Sequence, residues 1–597
     1  MTEQASAKSQ AWLGWSRIAI GLGQGLALYA LSEVREAEVW PATAPELFAA
    51  LSLIALFVPL ILIGGLGALR RITVLIWTLA AALMLGGLGW YDVARGALED
   101  SQWFSLGAFF ASAAIVFVAH HLIAAGDESR RLIAPYERYF DLGWRHGAQL
   151  ALAGLFTGAF WAVLHLGSAL FQLIGIDVLR DLIAEAWFGI PATTMMFAAA
   201  IHLTDLRSGL VRGFRALGLV LLSWLAPIMT GLAAAFLLAL PFTGLQPLWD
   251  TRAATAMLLG ACVVLVILIN AAYQDGAPEH APGRILRWAV RTASVILTPL
   301  AALAAYALFL RIAQYGLTPE RIYAAAVLAI GACYALAYLA GAFWPRWMKP
   351  LEAGNIASAF VVLAVALALF SPIADPARIS VADQVRRLES GKVAPADFDY
   401  AFLRFDGARY GRAALERMRA DRADARTREI AEQAVRALAW ESRWDGDAQP
   451  ARREPASPAS AFTMHPAGAR FPDGFIEHAL TQPTGQLSLC HDGHVRCHAF
   501  FLDLNHDGDH EIVIASVHFI IAFDNGAEGG WNYLGQAPVY GWDNTAALER
   551  GDVRVVAPRV SDLEIGGMRY QLNIVVDSPA EATAPETGAG DRWINEN

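Results

Sequence analysis

Residues 12–31 read WLGWSRIAIGLGQGLALYAL, an apolar stretch long enough to cross a bilayer as one helix. It is too long for the core of a cleavable signal sequence and has no basic leader, so we expect it to remain as a helix. The whole chain has this character, because 56% of its 597 residues are hydrophobic and 17% are charged. Soluble proteins rarely have such a composition, and one hydrophobic core rarely holds so many residues. The sequence therefore predicts a membrane protein with at least two structural regions.

Apolar segments of similar length recur along the chain and stop after Pro372. About eleven are present, and this number predicts a mainly α, polytopic membrane bundle over residues 1–373. Their centres lie near Ile20, Phe57, Ala80, Ala113, Phe160, Met195, Leu232, Val264, Ala301, Leu328 and Val365.

Basic residues are concentrated in every second loop, from the loop with Arg70 and Arg71 to the loop with Arg346 and Lys349. Loops rich in Lys and Arg stay on the cytoplasmic side of a membrane. With eleven spans, this rule places the N-terminus in the cytoplasm and the chain after Pro372 in the periplasm. We therefore expect a protein of the bacterial inner membrane, in contact with the lipid bilayer.

Two stretches of the membrane region resemble each other at an offset of about seventy residues. TGLQP at 243–247 aligns with YGLTP at 315–319, Pro227 aligns with Pro299, and the LGAC that ends at Cys262 aligns with the IGAC that ends at Cys333. Both copies run in the same direction, which indicates tandem helical hairpins rather than inverted halves. Chance similarity between apolar segments is the alternative.

Ionisable and amide side chains within apolar segments often mark functional sites, because each is costly in hydrocarbon. Five of them lie toward the cytoplasmic ends of their segments under this topology. They could line one polar site, although anchoring at the membrane interface would explain each separately. These residues are His120, His121, His202, Asn270 and Arg291.

The composition and periodicity of the chain change several times after the last apolar segment. Residues 374–444 are charged and have a helical period, which predicts a small periplasmic helical region. Residues 445–460 are rich in Pro, Ala and charge and indicate a linker. Residues 461–577 contain short alternating runs that predict a β-rich domain, and residues 578–597 have the composition of a disordered tail.

Residues 501–516, FLDLNHDGDHEIVIAS, carry the spacing of a calcium loop. Gly508 permits the turn at the sixth position, and Ile514 occupies the twelfth, where a helical EF-hand has Glu. Strand-like flanks instead suggest the calcium-binding hairpin of integrin-type repeats, although a single copy argues against a propeller. A polar turn without an ion is the alternative. The expected calcium ligands are Asp503, Asn505, Asp507, Asp509 and Glu511.

Two of the four cysteines lie in CHDGHVRCH, residues 490–498. Cys490, His494, Cys497 and His498 could supply zinc ligands, but their spacing fits no standard finger. A disulfide between Cys490 and Cys497 suits an exported domain better, because disulfides persist outside the cytoplasm.

The stretch APADFDYAFLRFDGARYGRAALERM, residues 394–418, follows the many apolar segments. Together they resemble an uncharacterised family of bacterial inner-membrane proteins, the one with domain of unknown function 4153. The resemblance covers roughly the first three quarters of the chain, implies a polytopic membrane protein and supplies no activity or catalytic residues.

Three functional classes follow from the sequence. We favour a non-enzymatic envelope protein that presents a calcium-stabilised module to a periplasmic protein or envelope ligand, and we expect no nucleic-acid partner. A transporter or channel is the second class, supported by the hairpins and by helix-breaking prolines. A transferase that uses a lipid-linked donor is the third, because the span count and the exported domain resemble C-type glycosyltransferases, which use acidic residues in the first external loop. Glu36 and Glu38 stand in that loop here and could hold a metal or act as a base.

Overall fold

The computed structural model describes residues 2–96, 103–246, 248, 253–440, 443, 462–472, 474–480, 490, 496–516, 519–525, 531–539, 545–556, 563–565 and 568–570. The chain forms two compact units, residues 1–440 and residues 441–597. The predicted linker at 445–460, the tail at 578–597 and the end of the predicted β-rich domain at 571–577 lie outside the described residues.

The first unit is built from helices in its described part. They are α1 (Thr2–Glu36), α2 (Pro45–Gly65), α3 (Arg71–Ala94), α4 (Leu106–Ser129), α5 (Tyr136–Gln172), α6 (Val178–Ala184), α7 (Ala186–Leu206), α8 (Ser208–Thr243), α9 (Ala254–Tyr273), α10 (Arg284–Tyr315), α11 (Pro319–Ala342), α12 (Pro350–Leu369), α13 (Pro376–Glu389), α14 (Ala408–Ala420) and α15 (Ala425–Ala439).

Ten of the described helices are long and apolar enough to cross a membrane, namely α2 to α5 and α7 to α12. Large apolar side chains cover their outer surfaces, such as Leu83 at 80% exposure and Phe242 at 90%. A soluble protein rarely leaves such extensive apolar surface in water, so these faces contact lipid. The predicted fold class, a helical membrane bundle followed by a β-rich domain, is confirmed.

The first predicted span forms α1, which is not among these ten helices. Its apolar stretch contains Arg17 and Gln24, two polar side chains that lower its hydropathy. Both have partners inside the bundle: Arg17 donates to Asp205 Oδ2 at 2.5 Å, and Gln24 donates to the carbonyl of Leu56 at 2.9 Å. The count of ten therefore differs from the expected eleven by a helix whose polar groups are satisfied by neighbouring helices.

The two matched hairpins have the same local geometry where α8 and α10 end. Gly244 follows α8 with φ 72° and Gly316 follows α10 with φ 77°, a region that side-chain-bearing residues rarely adopt. The Gly244 N–H donates to Leu240 at 2.9 Å, and the Gly316 N–H donates to Ile312 at 2.8 Å. The aligned glycines thus end equivalent helices in the same way.

The helices α13 to α15 form a small core of their own beyond the last span, around Leu388, Leu403 and Leu415. A π-helical turn at Phe402–Asp406 precedes α14. Gly411 packs so closely on the Leu403 carbonyl that a Cβ would collide with it. This close approach explains the second glycine of the GARYG sequence in physical terms.

The same sequence attaches these helices to the end of α3. The Arg409 N–H donates to the Arg95 carbonyl at 2.9 Å, and the Tyr410 hydroxyl lies 3.0 Å from the Tyr91 hydroxyl. The Tyr91 hydroxyl donates to Asp375 Oδ2 at 2.6 Å, at the start of α13. Hydrogen bonds near the end of the span therefore fix the helical segment to the bundle.

The second unit contains a five-stranded sheet. Its strands are β1 (Phe462–His465), β2 (Cys497–Leu502), β3 (Glu511–Ala515), β4 (Phe519–Asn525) and β5 (Trp531–Pro538). They lie in sequence order, with β1 parallel to β2 and every other pair antiparallel. Two short helices, α16 (Phe475–Leu480) and α17 (Thr545–Arg550), and a two-stranded sheet of β6 (Leu563–Ile565) and β7 (Met568–Tyr570) complete the described elements.

Both faces of the sheet are covered, because its strands alternate between two cores. Ile512 and Ile514 of β3 pack with Phe475 of α16 on one face. Val513 packs with Leu548 of α17 on the other face. The loop with the calcium spacing connects β2 and β3, the most buried part of the sheet.

Candidate functional site

A cavity of ≈ 620 Å³ lies among α1, α2, α4, α5 and α7, and we name it the histidine cavity. Most of its wall is apolar, including Phe57, Ile61, Val116, Phe197 and Ile201. Its polar residues are Arg17, His120, His121, Arg145, His146, Gln149 and Asp205. The cavity is therefore amphipathic, with several ionisable groups set in an apolar wall.

Hydrogen bonds determine how the histidines present their ring nitrogens. His121 Nδ1 lies 2.5 Å from the Phe117 carbonyl, which can only accept, so this nitrogen carries a proton. In a neutral His121, Nε2 then accepts from His146 Nδ1 at 3.0 Å. Trp77 Nε1 donates to His120 Nδ1 at 3.3 Å, which leaves the proton of a neutral His120 on Nε2. The set therefore offers a donor at His120 Nε2 and an acceptor at His146 Nε2.

The charges around the cavity do not cancel. Arg17 is 3% exposed and is paired with Asp205, which also accepts a hydrogen bond from Gln149. Arg145 forms no ion pair with any residue that the structure describes. With the histidines neutral, the cavity retains one uncompensated positive charge.

The structure brings together two of the five polar residues that the sequence singled out. His120 and His121 line the histidine cavity, whereas His202 packs against Gly14 of α1. Asn270 belongs to a separate network described below. Arg291 lies over the Trp347 ring at 5.7 Å, a cation–π contact.

Asn270 joins a closed hydrogen-bond network of four side chains from α5, α9, α11 and α12. Its Nδ2 donates to Tyr338 at 2.5 Å, and the Tyr338 hydroxyl donates to Asn355 Oδ1 at 2.7 Å. Asn355 Nδ2 returns a bond to Asn270 Oδ1 at 2.6 Å and lies 3.2 Å from the Tyr136 hydroxyl. These groups bond to each other, so the network holds four helices together.

The variant Tyr338→Phe is expected to lower the stability of the bundle by about 1–3 kcal/mol, because both amide side chains lose a buried partner. Thermal unfolding of the full chain in detergent measures the change. Tyr315→Phe is the control, since its ring is half exposed and its hydroxyl has no hydrogen-bond partner among the described residues. Equal unfolding temperatures for the two variants would contradict a stabilising role for the network.

Sequence reasoning missed five polar residues of the cavity: Arg17, Arg145, His146, Gln149 and Asp205. Arg17 carried a signal, because it is a charge within the first apolar stretch. The others lie near basic loops, where polar residues are expected in any case. Asp205 is separated from Arg17 by 188 positions, so only the packing of α1 on α7 brings them together.

The loop between β2 and β3 is folded by its own side chains. Asn505 Oδ1 accepts from the Asp507 N–H at 2.9 Å, and Asp507 Oδ1 accepts from the Asp509 N–H at 2.8 Å. Asp503 Oδ2 accepts from the Gly508 N–H at 3.2 Å, where φ is 95°. These contacts place the expected calcium ligands in one tight turn.

Two carboxylate oxygens of this loop are buried without a hydrogen-bond partner among the described residues, Asp503 Oδ1 and Glu511 Oε1. Glu511 is 1% exposed, and its other oxygen accepts from the Leu504 N–H at 2.5 Å. No three His, Cys, Asp or Glu side chains in the described part of the chain converge closely enough to hold a metal as placed. A bound cation would give the two buried oxygens a partner. Asn505, Asp507 and Asp509 carry the other side-chain oxygens of this loop that could act as ligands.

Cys490 and Cys497 form a disulfide with a Cα–Cα distance of 5.6 Å, and both are buried in the core between the sheet and α16. The neighbouring His498 Nδ1 lies 3.1 Å from Nε2 of His465 on β1. Burial lowers the pKa of His498, and His465 lowers it further. His494 lies outside the described residues. With both thiols in the disulfide, neither cysteine is free to act as a thiolate ligand.

The two glutamates that the sequence predicted in the first external loop lie at the end of α1. Glu36 is its last residue, Glu38 follows with φ 52°, and both are exposed. Neither forms an ion pair with a residue that the structure describes, and the nearby Arg35 stacks over Trp103 at 5.1 Å. The arrangement is an open acidic turn and not an enclosed site.

A family model described as a domain of unknown function, DUF4153, matches residues 19–414. The matched region begins within α1 and includes the GARYG sequence and the lining of the histidine cavity apart from Leu13 and Arg17. No curated protein and no solved structure matches the chain.

Proposed function

We propose a function for this chain, which belongs to the family defined by the domain of unknown function DUF4153. Its membrane bundle carries a calcium-stabilised domain on the periplasmic side of the bacterial inner membrane. That domain binds a periplasmic protein or envelope ligand, or senses a condition of the envelope. The protein acts as a non-enzymatic envelope component.

One observation carries the calcium part of the proposal: the two buried, unpartnered oxygens of Asp503 and Glu511. A buried carboxylate oxygen without a partner destabilises the folded state, and this loop contains two of them. Calcium prefers carboxylate, amide and carbonyl oxygens, which are the groups of this loop. The ion would therefore offset a cost that the fold carries without it.

Three further features support an external location. The basic loops alternate along the ten spans, and this alternation supports an external end of α12 whether or not α1 crosses the membrane. The Cys490–Cys497 disulfide suits an oxidising compartment. Calcium loops of modest affinity fill where the free ion is abundant, as it is outside the cytoplasm.

Reporter fusions test the location. Alkaline phosphatase, which folds only in the periplasm, is expected to be active when joined after residue 440 and inactive when joined after residue 131. Green fluorescent protein is expected to give the opposite pattern. If the green fluorescent protein fusion after residue 440 were fluorescent and the phosphatase fusion there inactive, the C-terminal domain would lie in the cytoplasm. That result would overturn the proposal.

Hydrogen exchange of the purified full chain tests calcium binding. We expect calcium, compared with magnesium at the same concentration, to slow exchange of the β3 amides, because an ion that binds only the folded hairpin stabilises it by mass action. Identical exchange in calcium, magnesium and chelator would leave the loop as a polar turn.

A further inference from the structure

We propose that the histidine cavity binds an amphiphile with a phosphate head group, with the phosphate against Arg145 and the imidazoles and the apolar chain along the cavity wall. This inference concerns the membrane bundle and is independent of the calcium proposal.

The size of the cavity is the first argument. At ≈ 620 Å³ it lies within the range of pockets that enclose small molecules, which is about 300–1,000 Å³. Four of the five helices around it are candidate membrane spans, so lipid surrounds this part of the bundle. A small inorganic ion alone would leave most of this volume unfilled.

The distribution of polarity is the second argument. A fully polar metabolite would place its hydroxyl or amide groups against apolar residues such as Phe57 and Phe197, at the cost of unmade hydrogen bonds. A fully apolar ligand would give no partner to Arg145, His120 Nε2 or His146 Nε2. A molecule with one polar end and one apolar chain satisfies both parts of the wall.

The sign and chemistry of the polar groups give the third argument. Arg17 is neutralised by Asp205, whereas Arg145 is free of ion pairs among the described residues, so the uncompensated charge is positive. Guanidinium N–H groups bind phosphate oxygens in a bidentate manner. His120 Nε2 adds a neutral hydrogen-bond donor. It faces Gly64, where an added Cβ would be 3.5 Å from this nitrogen. The lack of a side chain at Gly64 therefore leaves His120 Nε2 accessible.

The pocket next to the cavity also has a net positive charge. A neighbouring pocket of ≈ 330 Å³ shares Arg145, Gln149 and Asp205 with the cavity and also contains Arg212. Arg212 has no ion pair among the described residues, whereas Arg215 is paired with Asp141 at 2.6 Å. An anionic group that approaches Arg145 therefore meets a second unpaired cation, whereas the three acids of this pocket are each paired with an arginine.

Native mass spectrometry of the full chain in a neutral detergent tests the proposal. The probes are a short-chain phosphatidic acid, the diacylglycerol with the same chains, and inorganic phosphate. We expect a retained one-to-one complex with phosphatidic acid, weaker binding of diacylglycerol, and no displacement by inorganic phosphate at equal concentration. Arg145→Gln is expected to weaken phosphatidic acid binding about tenfold or more, because it removes a charged hydrogen-bond donor.

Two further variants keep the result specific. Arg284→Gln removes an exposed arginine at the start of α10 that does not line the cavity, and it should bind as the parent protein does. Gly64→Leu should reduce binding of both lipids by filling the space beside His120. Equal binding of diacylglycerol, equal competition by inorganic phosphate, or an unchanged affinity in Arg145→Gln would each overturn the proposal.

Discussion

The variant Asp503→Ala is expected to abolish the calcium-dependent protection of the β2–β3 hairpin. At a calcium concentration of 100 times the dissociation constant, bound ion adds about 2.7 kcal/mol to stability, and this gain disappears when the ion no longer binds. Asp503 is the first ligand of the proposed set, and its Oδ1 is one of the two buried oxygens without a partner. Hydrogen exchange of the amides of Ile512 to Ile514, in calcium and in chelator, measures the effect.

The comparison between calcium and chelator distinguishes an ion-binding loop from a polar turn that binds no ion. Asp503 Oδ2 also accepts from the Gly508 N–H, so Asp503→Ala will cost some stability even without calcium. His510→Ala is the matched control, because His510 is exposed in the same loop and holds no ligand position. If Asp503→Ala lost the same protection in calcium and in chelator, the residue would serve only the turn.

The variant Asp375→Ala is expected to destabilise the attachment of α13 to α15 by about 3–5 kcal/mol, the typical cost of removing one partner from a buried charge network. Asp375 is fully buried, accepts from the Tyr91 hydroxyl at 2.6 Å and caps α13 through the Ala377 N–H at 2.8 Å. Its Oδ1 also lies 3.7 Å from Arg95. The variant therefore loses the helix cap and leaves buried polar groups unpaired.

Limited trypsin digestion of the full chain, followed at the arginines of α13, measures this change alongside thermal unfolding. Glu389→Ala at the opposite end of α13 is the control, because Glu389 is exposed and should shift stability by only about 0.5 kcal/mol. Equal rates of cleavage in the two variants would show that the Asp375 network does not hold the helical segment.

The parts of the fold that the sequence predicted are those that depend on local pattern. An apolar span such as α2 can be recognised from about twenty consecutive residues, because the bilayer sets its length. The strands on either side of Gly508 were also predictable, because alternation and a turn signal lie within one short stretch. Gly244 and Gly316 are a similar case, since a helix end that needs a positive φ favours glycine wherever it recurs.

The parts that were missed depend on packing between distant helices. Asn270 was correctly noted as a polar group in a span, yet its partners Tyr338 and Asn355 come from helices that no local pattern connects to it. His146 was not considered, because polar residues near a basic loop have a simpler explanation. The span count differed at α1, because Arg17 and Gln24 lower the hydropathy of its apolar stretch, and their partners lie on helices distant in sequence.

Calorimetric titration of the purified, oxidised full chain with calcium tests the central claim most directly. The account predicts saturable binding of one ion per chain, lost in Asp503→Ala and retained in His510→Ala, with much weaker binding of magnesium. A chain with correctly formed Cys490–Cys497 disulfide that bound no calcium, or bound it equally well in Asp503→Ala, would contradict the claim that this loop is an ion site.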